Sequence, residues 1–309
     1  MAKKKVLIVG ASGYGNVGDD SYRCMFQRHF AARYDLEFHN SDLPQQFPAC
    51  DAVVLGGGGL LYAFHDHFKK MVWYLKHARK REIPYAMVSV GYQFKPLGSG
   101  QWIKKPVEKW GKYVRDAQLV TVRSKSDLQF TRHLGKEEHA FYYPDLCYGI
   151  AELVRGDLDK DPERQICVIP GAGLFHSMDK VSPAVWVQQN YTLALQRLLE
   201  QLGYKGMQLV RMGAGSADNA KIRLVRKMFG DEEMPTYGSG DPRECLKKIA
   251  SAEVVISGRF HGMVFARSAG VPVITMPAAP YKIWTEDVNL DVGAYKGHIE
   301  KMGEFLKKV

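Results

Sequence analysis

In Ile256-Ser257-Gly258-Arg259-Phe260-His261-Gly262, an arginine and a histidine stand two positions apart, just past a run of apolar residues. Arginine offers a permanent charge and a rigid fork of donors that matches carboxylate or phosphate. Histidine can hold or give a proton near neutral pH. The pair therefore suits the binding of an anion and proton transfer to or from it. Arg123 stands in the same way after Leu119-Val120-Thr121-Val122, and Lys282 could close the same site as Arg259. Near the start, Asp19 and Asp20 follow a run of small residues and could grip the hydroxyls of a polar ligand. Capping of the next helix is the commoner role for an Asp so placed. The four glycines Gly56-Gly57-Gly58-Gly59 cost chain entropy, and the expected gain is close backbone contact with a ligand or a neighbouring loop. For Arg259 and His261 the plainer alternative is a capping arginine and a structural histidine.

Those residues need strands that end beside them. Glu253-Val254-Val255-Ile256 reads as a buried strand, Met263 to Ala269 as a helix and Val271 to Ile274 as the next strand, a unit that sets Arg259 and His261 at a carboxyl edge. Ligands of open parallel sheets bind outside that edge, and a helix N-terminus there favours an anion. The same rhythm fills the chain. Strands are expected at Lys5–Gly10, Asp51–Leu55, Tyr85–Gly91, Leu119–Ser124, Ile166–Pro170 and Met207–Met212. Helices are expected at Ser21–Phe30, Phe68–Lys80, Lys105–Arg115, Ser126–Leu134, Val185–Leu202, Ala217–Phe229, Asp241–Ala250 and Gly297–Val309. The polar stretch 152–164 reads as a linker. The expected fold is α/β, with two doubly wound Rossmann-like domains facing a cleft. Residues 1–150 form the first, 165–295 the second, and 296–309 a C-terminal helix.

Composition sets further bounds. The chain has 309 residues, 46% hydrophobic and 25% charged, enough for a full core. Its formal net charge of +10 favours an anionic substrate, an anionic membrane surface or nucleic acid. No basic stripe is interleaved with aromatics, so nucleic acid is not the expected partner. The cations around Lys105 to Arg115 read as a solvated face first and as a peripheral docking face for a membrane second. The five scattered cysteines show no zinc or CxxC spacing and read as buried thiols of a reducing compartment. His65 and His67 make a weak metal pair, since i and i+2 diverge on a helix, and no metal is expected. Gly10, Gly13, Gly15 and Gly18 do not keep the GxGxxG spacing, which argues against NAD or FAD. Val6 to Val9 is too short for a signal peptide, and no run is long enough to span a membrane, so the expected place is the cytoplasm, with the inner face of a membrane as an option.

The motifs resemble those of the polysaccharide pyruvyl transferase family. The resemblance rests on Gly15-Asn16-Val17-Gly18-Asp19-Asp20, Leu55-Gly56-Gly57-Gly58-Gly59-Leu60, Val122-Arg123-Ser124-Lys125-Ser126, Pro144-Asp145-Leu146, Ile256 to Gly262, Ala269 to Ile274 and Tyr281-Lys282, in the family's order. It implies a two-domain, GT-B-like protein that builds a pyruvyl ketal on two sugar hydroxyls from phosphoenolpyruvate, with no cofactor. His261 would be catalytic. Arg123, Arg259, Lys282, Asn16, Asp19, Asp20, Gly57, Gly58 and Gly59 would bind substrates, with phosphoenolpyruvate between the domains and mostly against the second. The acceptor would be a sugar or a lipid-linked oligosaccharide. Ser124 departs from the family, which commonly has Asp after the arginine, and Tyr92 to Pro96 is less glycine-rich than is usual there. Two alternatives stand beside this reading: a GT-B glycosyltransferase using a nucleotide sugar, and a non-catalytic protein that binds anionic glycans.

Overall fold

The computed structural model describes residues 2–40, 43–62, 66–93, 104–154, 160–170, 193–194, 197–201, 203–213, 219, 222–223, 225–227, 230–238, 240–275 and 291–309. Lys5–Val9 (β1), Asp35–His39 (β2), Ala52–Tyr62 (β3), Tyr85–Gln93 (β4), Leu119–Val122 (β5) and Ala140–Tyr142 (β6) form one sheet. Its order is β2-β1-β3-β4-β5-β6 and every pairing is parallel. Val17–Phe30 (α1), Asp66–Lys80 (α2), Lys104–Asp116 (α3) and Lys125–His133 (α4) alternate with the strands. Continuous apolar runs such as Val6–Val9 and Val53–Leu55 are buried along their length, as strands inside a parallel sheet must be. Leu7, Leu55, Met87 and Trp110 belong to this core.

Ile166–Ile169 (β7), Met207–Val210 (β8), Thr236–Tyr237 (β9), Val254–Ser257 (β10) and Val273–Thr275 (β11) form a second parallel sheet, ordered β11-β10-β7-β8-β9. Pro242–Ala250 (α5) leads into β10 and Phe260–Ser268 (α6) follows it. Asp241 caps α5 by accepting from the Arg243 N–H, and Pro242 opens its first turn, where a missing N–H does no harm. Val168, Leu209, Val254 and Ile256 lie in a separate core. Lys296–Lys308 (α7) closes the described chain.

The two sheets define two compact units, but two stretches group otherwise than the sequence division suggests. Tyr14–Gly18 belongs with the second unit, and the described residues from Asp291 onward belong with the first. Thus α7 is part of the first unit, packed over β4 and β5, rather than an appendage after the second.

Both sheets are doubly wound, and each has a point where the strand order reverses: between β1 and β3 in the first, between β7 and β10 in the second. Such points open a crevice at the carboxyl edge. Three local expectations need correction. Helix α1 begins at Val17, so Asp19 and Asp20 lie in its first turn and not in a loop. Strand β2 was not legible, because its residues are only partly buried and two of its five are acidic. The strand expected at Asp51–Leu55 does not stop before the four glycines. They run inside it, with Gly56 opposite Val88 and Gly58 opposite Val90 before the register shifts.

Candidate active site

In the second unit, β10 is buried throughout and ends at Ser257. The Ser257 hydroxyl donates to the Arg259 carbonyl at 2.8 Å and accepts from the Arg259 N–H at 3.2 Å. This local loop holds Arg259 extended, at φ −120° and ψ 141°, as the N-cap of α6. The Gly258 N–H continues the ladder to the Ile169 carbonyl at 2.9 Å. Arg259 Nε donates to the Pro170 carbonyl at 3.2 Å, which lays the side chain across the reversal point between β10 and β7. Gly262 lets the first turn of α6 close on the sheet, since a Cβ there would meet Ser257 Oγ at 2.4 Å and Ile169 Cδ1 at 2.8 Å. The amino end of the helix, a site of free N–H groups and positive dipole, thus sits beside Arg259.

His261 lies in that first turn, half-buried, its ring edge-on to Phe260 at 5.4 Å. The ring also lies against Gly18, where any Cβ would overlap the imidazole. The Val17 N–H donates to the Met212 carbonyl at 2.9 Å and Asn16 bridges Gly213, so the stretch before α1 is seated on the loop after β8. The Gly15–Asp20 motif is therefore divided. Asn16 and Gly18 join His261 in the second unit, while Asp19 and Asp20 stay with the first.

In the first unit, Arg123 follows β5 and its guanidinium lies 3.1 Å from Asp145 Oδ2 and 3.4 Å from the Tyr22 hydroxyl. The Tyr22 hydroxyl donates to the same Oδ2 at 2.5 Å, and the Cys147 N–H donates to Oδ1 at 2.9 Å. The Asp145 side chain has no exposure and that of Arg123 15%. Burial alone would lower the arginine's pKa, but Tyr22 and Asp145 hold it well above its usual value. Burial, then Asp145, pushes the Tyr22 phenol up, so it remains a donor. Burial likewise raises Cys147, whose sulfur accepts from the Ser21 hydroxyl at 2.8 Å. Gly91 makes room for the guanidinium, since a Cβ there would come within 2.6 Å of Arg123 Nε.

Three glycines of β3 face α1. Gly56 backs onto Phe26, Gly57 onto the Tyr22 ring and Gly58 onto Asp19 Oδ1. Gly57 and Gly58 have φ of 78° and 92°, a region that favours glycine. Asp20 accepts from the Gly13 N–H at 2.5 Å and so closes the loop before α1; burial raises its pKa. Ser124 caps α4 by accepting from the Asp127 N–H at 3.0 Å, a task that Asp performs equally well. Asp127 in turn accepts from the Tyr92 N–H at 3.0 Å, and burial raises its pKa. Lys282 and His65 lie outside the described residues, as does the side chain of His67. Sequence reasoning missed Tyr22 and Cys147 and gave Asp145 no role. Its one signal was Asp145 within Pro144-Asp145-Leu146.

Comparisons with known proteins follow the same lines. A family model described as polysaccharide pyruvyl transferase matches residues 4–278. No curated protein sequence matches the chain. Among solved structures, a Staphylococcus aureus MnaA–UDP complex shares 11% identity at a TM-score of 0.56, covering 99% of this chain and 88% of the other. A UDP-N-acetylglucosamine 2-epimerase from Rickettsia bellii shares 10% at 0.56, covering 99% and 96%. A UDP-GlcNAc 2-epimerase from Neisseria meningitidis, bound to UDP-GlcNAc, shares 8% at 0.54, covering 98% and 92%. At such identities the likeness is one of fold, the two-Rossmann GT-B type.

Proposed function

The chain belongs to the polysaccharide pyruvyl transferase family, and on that premise we propose that it moves the pyruvyl group of phosphoenolpyruvate onto two hydroxyls of a sugar, as a ketal in a cell-surface polysaccharide or its precursor. The family makes it a transferase; the donor and the ketal are the proposal. The observation that carries the reading is the placement of Arg259 at the N-cap of α6 and His261 in its first turn, at the reversal point of the second sheet. Phosphoenolpyruvate bears a carboxylate and a phosphate. A forked cation beside a helix N-terminus suits either group. Arg123 serves as a further substrate contact on the first unit, with Lys282 as another cation. The acceptor, a sugar or a lipid-linked oligosaccharide, is assigned to Asn16, Asp19, Asp20 and the Gly57–Gly59 stretch.

In this scheme a proton is placed on the enol CH2 carbon, which makes C2 electrophilic. One sugar hydroxyl attacks C2 and gives up its proton. The C2–O bond to phosphate breaks with its electron pair remaining on phosphate. The second hydroxyl then closes the ketal. Of the two hydroxyl protons, one ends on the new methyl group and one on phosphate. His261 is the group assigned to proton transfer, a role worth about 100-fold or more. Among the described residues no helix is long and apolar enough to cross a membrane.

Melting curves test the reading, since a ligand that binds only the folded protein raises its melting temperature. Phosphoenolpyruvate is expected to stabilise the protein and UDP-GlcNAc to leave it unchanged. Stabilisation by UDP-GlcNAc alone would favour the nucleotide-sugar alternative. Stabilisation by an anionic glycan alone would favour a binding protein.

A further inference from the structure

We propose that His298, on α7, is a positioning residue for Arg123 and acts through the turn Pro144–Leu146; the effect on catalysis rests on the reading of Arg123 as a substrate contact. His298 is fully buried, at 0% exposure. Its Nε2 lies 2.9 Å from the Pro144 carbonyl, which can only accept, so Nε2 carries the proton. Nδ1 is then an acceptor, and the Thr121 hydroxyl donates to it at 2.7 Å. Thr121 Oγ1 also accepts from the Ser89 N–H at 2.9 Å. Ser89 has a left-handed φ of 55° and lies where β4 slips register against β5, and its own hydroxyl accepts from the Leu146 N–H at 3.1 Å.

The turn is therefore tied on both sides of Asp145: Pro144 to α7, and Leu146 to β4. Asp145 itself holds Arg123 and Tyr22. A turn that cannot move fixes the carboxylate, and the carboxylate fixes the guanidinium. Gly297 completes the seat of α7, since any side chain there would overlap the Tyr143 ring.

Two substitutions separate this role from packing. In His298→Gln the amide reaches the place of Nε2 and can still donate to Pro144. In His298→Asn it reaches only the place of Nδ1, so the Thr121 bond survives and the Pro144 bond is lost. The readouts are the Arg123 Nε–H resonance, assigned by its loss in Arg123→Lys, and the kinetics with phosphoenolpyruvate. His298→Asn is expected to shift or broaden that resonance and to raise KM about tenfold, the equivalent of about one lost hydrogen bond. Its kcat should stay within about twofold of wild type. His298→Gln should leave the resonance and KM near native. An unmoved Arg123 signal in His298→Asn would overturn the proposal. So would equal losses in both variants that merely follow their melting temperatures. If wild type does not turn over phosphoenolpyruvate, the functional reading fails separately, and the resonance still decides the positioning role.

Discussion

Three side chains of the candidate site are each backed by a glycine. His261 is backed by Gly18, Arg123 by Gly91, and Tyr22 by Gly57. Spacing alone marked Arg259 and His261, because both lie in one local motif whose strand and helix are legible from periodicity. It could not show that Gly18, distant by more than two hundred positions, forms the wall behind His261. Two outcomes follow at this scale. His261→Asn should keep the fold and phosphoenolpyruvate affinity while turnover falls about two to four orders of magnitude, since Asn bonds but does not titrate. Single-turnover ketal formation, followed by mass spectrometry beside a melting curve, checks this; near-normal turnover in a folded variant would remove His261 from the mechanism. Gly18→Ala should displace the imidazole, destabilise the protein by about 1–3 kcal/mol and lower turnover more than affinity. Equal turnover in that variant would show that the ring can shift freely.

At the scale of elements, β3 and α7 differ most from their sequence reading. Four glycines normally argue for a turn, yet the pairing of β3 with β4 outlasts them. Gly56, Gly57 and Gly58 admit α1 close to the sheet, which a sequence cannot show without knowing which helix lies there. Gly57→Ala combines a φ of 78° with overlap onto the buried Tyr22 ring. It should cost at least about 2 kcal/mol in urea denaturation, from left-handed strain plus overpacking. Helix α7 was legible as an amphipathic helix, but its attachment was not, because His298 and Thr121 are 177 positions apart.

Burial in that attachment lowers the His298 pKa from 6.5 to about 4. The unfolded chain then binds more protons than the folded one between those values. Stability is complete above about pH 6.5 and is lost as pH falls toward 4, by about 3 kcal/mol. His298→Gln should show a flatter acid limb than wild type in denaturation at pH 4.5 and 7. Parallel limbs would contradict a buried neutral imidazole.

For the whole molecule, the alternation of apolar strands and amphipathic helices was enough to expect two doubly wound sheets, because strands buried on both faces read as unbroken apolar runs. Edge strand β2 escaped, being short, partly exposed and charged. The grouping of Tyr14–Gly18 and of α7 escaped for another reason: both return to a unit far away in sequence, and periodicity carries no such information. The two reversal points organise what remains. Gly10, just after β1, meets the glycine run inside β3 at one, where it backs onto the Gly56 carbonyl, and Arg259 spans the other. The central claim is that the second of these points, with Arg259 at the head of α6, takes phosphoenolpyruvate. Titration calorimetry of phosphoenolpyruvate into wild type and Arg259→Ala tests it most directly. Binding to wild type is expected, with a loss of about 2–5 kcal/mol in the variant, which removes the charged partner of a bound anion. Unchanged affinity in a folded Arg259→Ala protein would contradict it.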